Sequence, residues 1–109
     1  MAYDEALAER VREAIAAREA LSERKMFGGI AWMLHGNMAV GIVGEDLMVR
    51  VGPQAYESAL REPHARPMDF TGRPMNGYVF VAAPGLTADQ DLAAWVARGA
   101  GFAETLPPK

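Results

Sequence analysis

Residues 24–43 read RKMFGGIAWMLHGNMAVGIV. Ile30, Trp32 and Leu34 point one way, and Ala31 and Met33 the other. Met38, Val40 and Ile42 then alternate with Ala39, Gly41 and Val43. A period of two is the signature of strands half-covered on each face. Gly36-Asn37 lies between the two runs and tolerates positive φ, as a tight hairpin turn requires. Gly28-Gly29 predicts a bulge or the close approach of another backbone. A glycine-rich ligand loop is the rival reading, and its context is missing. A dinucleotide fingerprint needs strand, turn and helix, and a P-loop needs Gly-Lys-Ser/Thr before a helix. Here strand follows strand, so the glycines serve a hairpin.

The pattern extends outward from this hairpin. Leu47, Val49 and Val51 alternate with Met48 and Arg50, predicting a third strand after Gly44-Glu45-Asp46. Upstream, Leu7, Val11, Ala14 and Ile15 recur at helical spacing over residues 3–20, with Asp4 and Glu5 in the first turn. Downstream, Gly52-Pro53 opens a short helix with Tyr56, Ala59 and Leu60 on one face, and Pro63 stops it. A short strand is expected at 68–70 and an apolar one at 78–83, the latter central because both faces are apolar. Thr87-Ala-Asp-Gln90 has capping-box spacing for a last helix from about residue 88. Its stripe is Leu92, Trp95, Val96, Gly99, Phe102, Ala103 and Leu106, with Gly99 placed for close packing or a kink. The order α-β-β-β-α-β-β-α predicts one α+β domain over 1–109: two layers, with a five-stranded, mainly antiparallel sheet covered by the first and last helices.

Composition limits the function. The 109 residues carry a net charge of −3, with only two lysines, Lys25 and Lys109. Phosphate neutralisation supplies most nucleic-acid affinity, so direct nucleic-acid binding is disfavoured. No cysteine is present, which removes disulfides and thiolate zinc sites. No apolar run approaches the ~18 residues of a membrane span, and no leader is apparent, so a cytoplasmic location is expected.

Catalytic pairings are missing as well. His35 and His64 lie in separate segments, and Asp46 and Asp69 would join them only through a favourable fold, so no metal site is assigned. Ser22 and Ser58 lack a nucleophile-elbow setting. No catalytic residue, cofactor site or cofactor is assigned. The candidate ligand or partner surface is Arg50, His64, Arg66, Met68, Phe70, Arg73 and Met75. Its arginines suit a carboxylate or phosphate, and its thioethers and ring supply an adaptable apolar wall. The alternative use of the same residues is internal: arginines paired with Asp69 or other acids, and methionines filling the core. Trp32, Trp95 and Phe102 are expected in the core.

Lys25-Met-Phe-Gly-Gly29, Gly36-Asn37, Leu47-x-x-Arg50-x-Gly52 and Pro67-Met-x-Phe-x-Gly-Arg73 together resemble the TfoX N-terminal domain family (TfoX/Sxy-like), from about Tyr3 to Lys109. The resemblance implies a secretion-chaperone-like α+β fold, often dimeric. The family's founding members regulate competence gene expression and carry a second, C-terminal domain not found in this sequence. No catalytic residues are carried over from the family. The expectation is a non-enzymatic regulatory or adaptor domain in transcriptional or competence-type regulation, acting by protein–protein contact as a homodimer. The alternatives are a sensor of an anionic small molecule held by Arg50, Arg66 and Arg73, and a cryptic enzyme.

Overall fold

The computed structural model describes residues 3–26, 28–69 and 75–109. Its elements are α1 (Glu5–Ile15), β1 (Leu21–Met26), β2 (Gly29–Leu34), β3 (Asn37–Val43), β4 (Asp46–Arg50), α2 (Tyr56–Leu60), β5 (Ala65–Pro67), β6 (Tyr78–Val81) and α3 (Asp89–Glu104). All six strands join one antiparallel sheet in the order β1-β2-β3-β4-β6-β5. The fold is α+β, with six strands rather than the expected five. The additional strand is β1. Leu21 pairs with Leu34 and Met26 with Gly29 without a register shift. Five of its six residues are exposed, so apolar alternation never marked it as a strand. The sequence pattern assigns no element to residues 21–26, and it extends the first helix to residue 20. That helix stops at Ile15, and Ala20 takes a positive φ of 54° on the way into the strand.

Alternation splits the sheet into two faces. Ile30, Trp32, Leu34, Val40, Ile42, Leu47, Val49, Val79 and Val81 share one core with Leu7, Val11 and Ile15 of α1 and Leu92, Trp95 and Val96 of α3. Asp4 caps α1 by accepting the Leu7 N–H at 3.1 Å, satisfying one of the donors a helix start leaves open. Two ion pairs tie the helices together: Arg10 with Asp89 at one end and Arg18 with Glu104 at the other. The anticipated capping box at Thr87 does not form. Thr87 follows a 3-10 turn, Ala83–Leu86, and its hydroxyl turns back to the Pro84 carbonyl. Ala88 is the N-cap and supplies no side-chain bond. Arg10 instead donates to the carbonyls of Leu86 (2.7 Å) and Thr87 (3.3 Å).

The glycines of the opening stretch have backbone roles, though not all at the expected positions. The β2–β3 turn residues with positive φ are His35 (52°) and Gly36 (82°). Asn37 is instead the first residue of β3. It is buried and donates from Nδ2 to the Pro107 carbonyl at 2.9 Å, while the Lys109 N–H reaches the His35 carbonyl at 2.8 Å. The hairpin thus holds the C-terminal tail. Gly29 is a close approach: a Cβ there would lie 1.9 Å from the Ile42 carbonyl oxygen. The irregularity in the pairing falls later, between Trp32 and Met33. Gly99 is also a packing position, since its Cβ would meet the Ala39 carbonyl oxygen at 2.4 Å. The strand expected at 68–70 lies earlier, at Ala65–Pro67, on the far edge of the sheet, where a proline is tolerated. β6 lies between β4 and β5, the central position its two apolar faces predicted.

Candidate functional site

The second face of the sheet has a different chemistry. Pairing register places Arg24 and Met26 of β1, Ala31 and Met33 of β2, Gly41 and Val43 of β3, Asp46, Met48 and Arg50 of β4, and Tyr78 and Phe80 of β6 on it. Met38 joins them opposite Met33, and Arg66 opposite Phe80. Among the described residues, α3 reaches it only at one end, where Phe102 lies against Arg50, and Ala31, Met33, Met48, Met68 and Phe80 on it are buried. Met48, Met68 and Phe80 form a small separate cluster, with Met38, Val43 and Tyr78 against it. Gly41 lets the long Met48 side chain lie flat: a Cβ at Gly41 would sit 2.8 Å from the Met48 methyl carbon.

The arginines on this face are held by rings. Arg66 lies over Phe80, 5.1 Å from the ring centroid, and pairs with Asp46 at 2.6 Å. Arg50 lies between Tyr78 (5.5 Å) and Phe102 (5.4 Å). Phe102 is half-buried here rather than in the central core. Its ring occupies the space that a Cβ at Gly52 would need. Stacking of this kind holds a guanidinium in place while leaving N–H groups at its edge.

Of the seven residues proposed from sequence, four come to this region. Arg50, Arg66 and Met68 belong to the second face, and Met75 is tied to it by its N–H bond to the Met68 carbonyl at 2.9 Å. Phe70 and Arg73 lie outside the described residues. His64 is elsewhere. It sits in the turn between α2 and β5 and lines a cleft of about 560 Å³ on the helix side, with Trp95 and Arg98 of α3. Sequence reasoning missed Asp46, which is Arg66's partner from 20 residues away, and Arg98, whose guanidinium is 4.7 Å from the Trp95 centroid. Only the second had a local signal. Asp91, Ala94, Trp95 and Arg98 fall at i, i+3, i+4 and i+7 on one helix face.

One charged site links the two layers at the β1 edge. Glu23 accepts the Trp32 indole N–H at 2.9 Å and pairs with Arg12 of α1, which also pairs with Glu9. The Arg12 hydrogen bond is the main cause that holds the Glu23 carboxyl below its usual range. The Trp32 bond adds to it, against partial desolvation. Glu23 in turn raises the Arg12 guanidinium further above its ordinary value.

The fold, the hairpin geometry and the arginine-flanked face set the context for comparison with known families. The family model for the TfoX N-terminal domain matches residues 13–103. The chain belongs to the TfoX N-terminal domain family. No curated protein and no solved structure matches it. The matched span takes in every strand, α2 and nearly all of α3, so both faces of this TfoX N-terminal domain lie within it. No helix among the described residues is long and apolar enough to cross a membrane.

Proposed function

We propose that this TfoX N-terminal domain is a non-enzymatic regulatory or adaptor domain that acts by protein–protein contact, in regulation of the transcriptional or competence type. The observation that carries the reading is the chemistry of the second sheet face. In a chain of net charge −3, its strand positions hold three arginines (Arg24, Arg50, Arg66) and one aspartate, Asp46. Thioethers and rings lie between them. The chemistry that complements such a face is a protein segment with an apolar stripe flanked by acidic residues. A sensor of anions held by Arg50, Arg66 and Arg73 is supported less: Arg66 is already paired with Asp46, Arg50 and Arg66 lie over different rings, and Arg73 lies outside the described residues.

The domain acts as a homodimer in this reading, and the two sheet edges support it. β5 is three residues long and ends on Pro67, which blunts that edge. β1 has six residues, no proline and an unbroken register with β2.

The test is native mass spectrometry of the protein isolated gently from its host cells, with Arg24→Glu and Met38→Asp variants alongside. Arg24 is exposed and has no ion pair among the described residues, so its reversal leaves the fold intact. The expected result is a two-copy complex that also retains another polypeptide, which both variants lose while keeping the wild-type circular dichroism spectrum. Equal retention by the variants would exclude this face, and a strictly monomeric protein would exclude the dimer.

A further inference from the structure

The cleft around His64 is assembled from three separate segments. The turn after α2 supplies Glu62, Pro63 and His64. The 3-10 turn supplies Pro84 and Gly85, and α3 supplies Asp91, Ala94, Trp95 and Arg98. Its volume of about 560 Å³ lies within the usual range for a small-molecule site, roughly 300–1,000 Å³. Charged groups of both signs face it. Among the described residues, Glu62, Asp91 and Arg98 form no ion pair, in contrast to Arg10, Arg12, Arg18 and Arg66, which all do. Arg98 is instead stacked on Trp95, so its planar fork is held with edge N–H groups available to a carboxylate.

His64 is held in this cleft under backbone strain. Its φ is +69°, a conformation a side chain adopts at a cost. The Ala82 N–H donates to its carbonyl at 2.9 Å. Gly85 makes room for it, since a Cβ there would lie 2.9 Å from the His64 Cβ. The first contact holds the His64 backbone and the second leaves space for its side chain against the 3-10 turn, at a position where a glycine would satisfy the backbone more easily.

We infer that this cleft binds an amphoteric small molecule, one that carries both an ammonium and a carboxylate, as a free amino acid or a short peptide does. A simple anion would meet Glu62 and Asp91, and a simple cation would meet Arg98. A ligand with both charges satisfies both. Pro63, Pro84 and Ala94 give an apolar wall for its side chain. A divalent cation does not fit, because no three His, Cys, Asp or Glu residues converge to hold one among the described residues. The inference is independent of the partner face, which lies on the other side of the sheet.

The experiment is an amide NMR titration of the full chain with L-leucine and with leucyl-leucine. Isocaproate, which lacks the ammonium, and isoamylamine, which lacks the carboxylate, are the comparators. Saturable shifts confined to residues 62–64, 84–85 and 91–98 are expected with the amphoteric probes. Each singly charged comparator is expected to bind at least about tenfold more weakly, the scale of one lost charged hydrogen bond. Arg98→Met and Asp91→Asn should each cause a similar loss while leaving the remaining spectrum unchanged. Tighter binding of leucine assigns the site to free amino acids, and tighter binding of the dipeptide assigns it to peptide termini. His64→Gly should raise the melting temperature and weaken binding together. Absence of saturable shifts with both amphoteric probes, or equal binding of a singly charged comparator, would overturn the inference. Unchanged binding by His64→Gly would remove His64 from it.

Discussion

The two faces of this sheet come from the same strands and have little in common. The helix side is built from branched aliphatics and a tryptophan, and its central residues, Trp32, Leu34, Val40, Ile42, Leu47 and Val49, have no exposed surface. The other side is built from thioethers, small residues and guanidiniums laid on rings, and its cluster of Met48, Met68 and Phe80 is small. Branched side chains with few rotamers specify one packing. Thioethers with three rotatable bonds fill gaps and accept substitution. One strand therefore contributes both to a core that determines the fold and to a second cluster that tolerates repacking.

That contrast predicts unequal responses to mutation. The largest effect is expected at Trp32→Ala. It empties the centre of the helix-side core and leaves Glu23 without its indole donor. The expected loss is about 3–5 kcal/mol of unfolding free energy, read by urea denaturation. A loss no larger than that of a surface substitution would mean that the helices do not depend on this core. On the opposite face, Met48→Leu conserves volume beneath Phe80 and Met68. It should cost less than about 1.5 kcal/mol. A cost near that of Trp32→Ala would show that the second face is as tightly specified as the first, and would end the distinction between them.

The helix-side face was largely legible in the sequence, and the second face only in part. β2, β3 and β4 announced themselves because Ile30, Trp32, Leu34, Ile42, Leu47 and Val49 alternate cleanly with their neighbours. β1 did not. Its helix-side positions are Leu21, Glu23 and Lys25, and charge at a sheet edge erases the apolar period. Asn37 looked like a turn residue because Asn-Gly chemistry is common in hairpins. Its actual partner, the Pro107 carbonyl, is 70 residues away. The same distance problem hid Asp46 beside Arg66. The surface proposed from one segment was therefore split by the fold. Arg50, Arg66 and Met68 stay together because strand register carries them to one face, whereas His64 precedes β5 and falls on the other side. The cleft it lines draws on three segments separated in the chain, and only its α3 stripe shows a period.

The smallest predicted effect concerns the seam where the uncovered edge meets the helix layer. Glu23 lies on β1, yet its carboxylate binds Arg12 of α1 and the buried indole of Trp32. Folding lowers its pKa, chiefly through the Arg12 hydrogen bond. A carboxylate that is more acidic when folded stabilises the protein above its unfolded pKa. That contribution fades as the pH falls through the lower folded value, because the unfolded chain takes up the proton first. Glu23→Gln retains an acceptor for Trp32 and removes only the charge. Its deficit relative to the parent should therefore be present at neutral pH, shrink on acidification and vanish once Glu23 is protonated in both states. The deficit should be modest throughout, since the pair is over a third exposed to solvent. Denaturant midpoints across an acid series measure it. A deficit that stays constant with pH would mean that Glu23 holds the edge strand through its hydrogen bonds alone. The edge strand would then be held by the neutral Trp32 contact to β2, with no contribution from the charge of Arg12.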